Sequence, residues 1–189
     1  MTGNTGMSTR PMAFPKPAQH FLANAIKVFD CFDADDGTGL IVADVARLSG
    51  INPSSVLRYL TTGVALGLLK RDAEGRRYFL ESKPPTRERF EYTAGAPNVT
   101  EPIVNALWVL SCFSDPDVKR SADVVARTTL SLLVIRSKLG ALVSVGYLVV
   151  VEARHFNATQ YRLTDDPAKL DKRWVALVLA VDTPVLLAA

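Results

Sequence analysis

Ser54, Ser55, Arg58, Thr61 and Thr62 fall in one short run, and Lys70, Arg71, Arg76 and Arg77 flank the polar segment Asp72-Ala-Glu-Gly soon after it. Hydroxyls near a helix start donate to phosphate oxygens, where the first-turn amides already favour anions. A guanidinium at Arg58 can pair with a guanine edge or hold a phosphate. The four cations at a tight turn are suited to the same backbone. Together they are equipped to grip a nucleic acid. Catalysis finds no comparable set: Asp165 and Asp166 sit on a turn, no Ser or Cys has a plausible base, and no glycine loop cradles phosphate. His20, His155, Cys31 and Cys112 have no metal-ligand spacing, so neither metal nor cofactor is expected. The loop from Asp33 to Leu40 lacks the alternating ligands and closing Glu of a calcium loop.

The elements that must position these residues follow from periodicity and turn signals. An apolar stripe through Phe21, Ile26, Val28, Phe29 and Phe32 predicts a first helix from about Pro17 or Ala18 to Phe32. A short helix is expected from Val42 to Leu48, then a turn at Ser49-Gly50-Ile51-Asn52, then a helix from Pro53 to Leu66. Val56 and Leu60 face the core of that third helix. Its outer side carries the polar run, as in the second helix of a helix-turn-helix. Leu68 to Arg71 and Tyr78 to Leu80 form a hairpin, or wing, around the turn at Asp72 to Arg77.

The same pattern recurs. The segments from Ala43 to Leu69 and from Ala122 to Leu148 align without a gap, since 122 minus 43 and 148 minus 69 both equal 79. Asp44 then faces Asp123, Leu60 faces Leu139, and Gly67 faces Gly146; NAIKVFDCF from Asn24 faces NALWVLSCF from Asn105. Repeats of this kind indicate a duplicated unit. The second copy differs where contact with DNA would occur: Pro53, Ser54 and Ser55 become Leu132, Leu133 and Val134. That apolar start reads as a protein interface, while Arg136 and Lys138 keep the means to touch a backbone.

Bulk properties fit this organisation without demanding it. The chain has 189 residues, a hydrophobic fraction of 48% and a net charge of +3, which permits a nucleic-acid partner. Cys31 and Cys112 occupy matching places and read as two buried thiols rather than a disulfide, in keeping with a cytoplasmic setting. No segment has the apolar length of a membrane span. The expected division is a flexible arm over 1–17, a first unit over 18–80, a linker over 81–100, a second unit over 101–165, and a C-terminal helix and tail over 166–189. In that helix Leu170, Trp174, Leu177 and Val178 call for a partner surface, either the second unit or a second copy in a homodimer.

The run ADVARLSGINPSSVLRYLTTGVALGLLKRDAEGRRYFL, with ANAIKVFDCF upstream, resembles the DNA-binding domain of the IclR-type bacterial transcription regulators. The resemblance rests on the Ser-rich start of the third helix, Arg58, Leu60, Gly67 and Tyr78, and is weaker in the second unit. It implies a mainly α fold with small β wings, a tandem winged helix-turn-helix. It also implies sequence-specific binding of double-stranded DNA, usually as a dimer, in transcription regulation. Gly63 stands where the family has a core Leu, and a degenerate second winged helix stands where the family has its effector-binding domain. A replication, partition or DNA-structuring protein fits the tandem architecture too, as does an interaction adaptor without DNA contact.

Overall fold

The computed structural model describes residues 16–93, 96, 98–115, 117–152 and 158–181. The arm expected over 1–17, except its last two residues, lies outside them, as do the second wing's tip at 153–157 and the tail at 182–189. The first half contains α1 (Lys16–Asp30), α2 (Val42–Ser49), α3 (Pro53–Leu66), β1 (Leu69–Arg71) and β2 (Tyr78–Leu80). The second contains α5 (Glu101–Ser111), β3 (Lys119–Arg120), α6 (Ser121–Arg127), α7 (Leu132–Ser144), β4 (Leu148–Glu152) and β5 (Gln160–Leu163). Between them lies α4 (Arg87–Thr93), and α8 (Pro167–Leu170) and α9 (Arg173–Leu179) follow. The fold is mainly helical with small antiparallel sheets.

Local chemistry sets the α2–α3 corner. Gly50 takes φ 69° and returns its N–H to Ala46 O, closing α2 in a conformation that glycine adopts without a Cβ clash. Asn52 then caps α3, its Oδ1 accepting from Ser55 N at 2.9 Å, with Pro53 in the first turn. At the other end Gly67 at φ 77° and the bond from Leu68 N to Gly63 O turn the chain into β1. α1 stops at Asp30 rather than Phe32. The bonds from Cys31 to Val28 and from Phe32 to Phe29 tighten its end into a turn that still buries Phe32.

β1 and β2 pair antiparallel, Leu69 with Leu80 and Arg71 with Tyr78, and Leu40 bridges Tyr78 from the other side. The second sheet has the order β3-β5-β4, with Lys119 opposite Tyr161. Leu40 and Lys119 are themselves one repeat apart, 119 minus 40 being 79.

Two expectations change. The segment expected to be a linker contains α4, whose Phe90 is fully buried and stacks on Trp108 at 6.2 Å. Arg89 and Thr93 on the same helix donate to Ala65 O on α3. α4 is therefore a packed strut between α3 and α5. The C-terminal helix is also two short helices, and its apolar side faces inward. Trp174 lies 5.7 Å from Phe29 and 5.6 Å from Tyr147, with its indole N–H donating to Asp30 Oδ1 at 2.9 Å. Val175 and Val178 are buried with it, so α9 packs against its own chain. At the centre is α5, buried from Ile103 to Ser111 and in contact with α1, α4, α7 and α9. Both halves thus share one core.

Candidate nucleic-acid interface

α3 is anchored by one side and presents the other. Val56, Tyr59, Leu60 and Leu66 are buried, while Ser54, Leu57 and Arg58 are exposed and Ser55 and Thr61 half-buried. Positions 54, 57, 58 and 61 follow the helical spacing that puts them on one face. Because Asn52 is the cap, the hydroxyls of Ser54 and Ser55 are not needed for capping. Sequence reasoning passed over Asn52, although an Asn directly before Pro and an apolar-periodic run is a helix-start signal. Leu57 is 45% exposed in the middle of the presented face.

Thr62 does not belong to this surface. It is fully buried, its Oγ1 donating to Arg58 O at 2.8 Å and accepting from Thr100 N at 3.0 Å. The bond to its own helix holds α3, and the bond from Thr100 ties α3 to the start of α5. Position on the outer half of a helix wheel suggested contact with a ligand; packing of α5 removes it.

The wing divides its four cations into two kinds. Lys70 is exposed and, among the described residues, in no ion pair. Arg76 is exposed and reaches Glu74 at 3.6 Å, a pair open to water and weakly held. Arg71 folds back: it donates to Gly75 O and lies 5.0 Å from the centre of the Tyr78 ring. Arg77 donates to Gly39 O at 2.8 Å and Thr38 O at 3.2 Å, pinning the wing to the loop after α1. Asp72 Oδ1 accepts from the amides of Arg76 and Arg77 at 2.7 and 3.1 Å. Those bonds, the Arg77 amide foremost, hold its carboxyl below the ordinary range and fix the turn. All four are exposed; Lys70 and Arg76 extend outward, while Arg71 and Arg77 also brace the hairpin that carries them.

The start of α7 is different in kind. Ser131 caps it through Val134 N, and Leu132 and Leu133 stand in the open, Leu133 at 80% exposure. Arg136 is half-buried. Lys138 is only 8% exposed, so it is not presented to a DNA backbone, contrary to expectation. It packs where α7 meets α5, a position that the repeat alignment alone does not reveal.

Residues 22–73 match the family model described as the IclR helix-turn-helix domain. The match runs from α1 through α2, α3 and β1 into the wing turn, so it contains the presented face of α3. An IclR-type helix-turn-helix domain therefore occupies this part of the chain, and such domains belong to DNA-binding transcription factors, not enzymes. The second half lies outside the matched span. No curated protein and no solved structure matched the chain. Among the described residues, no helix is long and apolar enough to cross a membrane.

Proposed function

We propose that the chain is a sequence-specific double-stranded DNA-binding protein that regulates transcription. The observation that carries this reading is the outward face of α3, Ser54, Leu57, Arg58 and Thr61, lying within the matched domain and followed directly by the wing cations Lys70 and Arg76. In this arrangement Arg58 reads a base edge, Ser54 and Ser55 hold phosphate at the helix start, and the wing holds the flanking backbone.

The reading treats the chain as a tandem winged helix-turn-helix, one unit over 18–80 and a degenerate one over 101–165. Support comes from the repeated order of three helices and a hairpin, from the corresponding Leu40–Tyr78 and Lys119–Tyr161 pairings, and from Gly67 and Gly146, both at positive φ. The second unit serves protein contact through Leu132 and Leu133. A homodimer would use that surface, because Trp174, Val175 and Val178 of α9 are already buried. The same exposed leucines favour a second reading for this half, an interaction adaptor without DNA contact.

Selection of bound duplexes from a random pool tests the proposal. A common motif should emerge, bound at least about 10³-fold more tightly than unrelated duplex. A pool that stays random through repeated rounds refutes sequence-specific recognition.

A further inference from the structure

The amino ends of α5 and α7 border a cleft of about 250 Å³, lined by Glu101, Pro102, Asn105, Leu133, Val134 and Lys138 among others. The Lys138 side chain is 8% exposed, and among the described residues its ammonium makes no hydrogen bond or ion pair. Asn105 Oδ1, in the same lining, is buried without a partner. Burial lowers the pKa of Lys138, and the charge of Glu101 partly restores it. Glu101 is oriented by Asn105, whose Nδ2 donates to its Oε1 at 3.3 Å. The lining therefore offers one unpaired ammonium, one positioned carboxylate and apolar walls from Pro102, Leu133 and Val134.

That set complements a small zwitterion with an aliphatic side chain. Its carboxylate would meet Lys138, its ammonium Glu101, and its side chain the apolar walls. The volume lies below the roughly 300–1,000 Å³ of drug-sized pockets, which suits a molecule of amino-acid size. A short chain of hydrogen bonds links the cleft to α3, the helix proposed to read DNA. Glu101 follows Thr100, whose N–H donates to Thr62 Oγ1 at 3.0 Å, and Thr62 donates to Arg58 O at 2.8 Å.

We propose that the cleft binds a small aliphatic α-amino acid, and that the bound molecule steadies the Thr100–Thr62–Arg58 connection and so alters the hold of α3 on DNA. Binding itself is independent of the DNA reading; only its consequence rests on it. Calorimetry on the full chain with L-leucine and L-valine reads the first, and amide exchange over α3 and Thr100 reads the coupling without DNA. Saturable binding is expected, weakened at least about tenfold, or 1.4 kcal/mol, in Lys138→Met and in Glu101→Gln. Isovalerate and isoamylamine, each lacking one charge, should bind at least as much more weakly. Exchange over α3 should slow on binding, and the affinity for the selected duplex should shift with ligand, reciprocally. Melting curves verify that both variants are folded. No saturable heat at millimolar ligand, an affinity that neither variant moves, or isovalerate binding as well as valine would overturn the site. Binding with unchanged exchange over α3 would overturn the coupling.

Discussion

Arg58 and Thr62 lie one helical turn apart on α3 and act in opposite directions. Arg58 reaches outward, and among the described residues its guanidinium is in no ion pair. Thr62 reaches inward, to Arg58 O and Thr100 N. Arg58→Ala should weaken binding to the selected duplex by roughly 1–3 kcal/mol and relax the motif at one base pair. A competition titration giving the parent affinity would remove Arg58 from base contact. The outward set was legible in the sequence because its members follow a 3.6-residue period opposite Val56 and Leu60. Thr62 was not, since its partner Thr100 lies far along the chain. The bracing role of Arg77 was hidden for the same reason: four wing cations look alike until the carbonyls of Thr38 and Gly39 come beside one of them. Lys138 inherited an exposed role from the repeat, although α5 covers it.

At the scale of elements, α3 keeps its place through Gly63. A Cβ built there would stand 2.8 Å from Leu69 Cδ1 and 3.1 Å from Phe29 Cε1. Leu69 thus fills the core volume for which the resemblance expected a Leu on the helix. Gly63→Leu should overpack this contact and destabilise the fold by about 1–3 kcal/mol or more. An unchanged urea midpoint would contradict the close packing of α3 on β1. The helices, the hairpin and the corner at Gly50 were readable from periodicity and turn residues. α4 was not: RERFEYT lies between prolines and a glycine with only two aromatics, and its helix is secured by Phe90 meeting Trp108. Such tertiary support decides short helices, whose intrinsic stability is marginal.

Across the whole molecule, α5 and Trp174 join what the sequence presents as two repeated units. The Trp174 ring touches Phe29 from the first half and Tyr147 from the second, and its N–H satisfies Asp30. Trp174→Ala should cost roughly 3–5 kcal/mol, and both halves should unfold in one transition in the parent chain. Two separate transitions, or a variant as stable as its parent, would contradict the shared core. The repeat was visible because 27-residue segments align without a gap, but alignment says nothing about which faces meet. The C-terminal apolar stripe was legible in the same limited way: the residues were identified, and their destination was not. The account as a whole depends on the surface formed by α3 and the first wing meeting a phosphate backbone. Affinity for duplex DNA measured against salt tests this most directly. With Lys70 and Arg76 as the cationic phosphate contacts, log K should fall with log salt at a slope of roughly −2 per copy, and become shallower by about 1 in Lys70→Ala. An affinity that salt leaves unchanged, or a slope indifferent to Lys70, would contradict it.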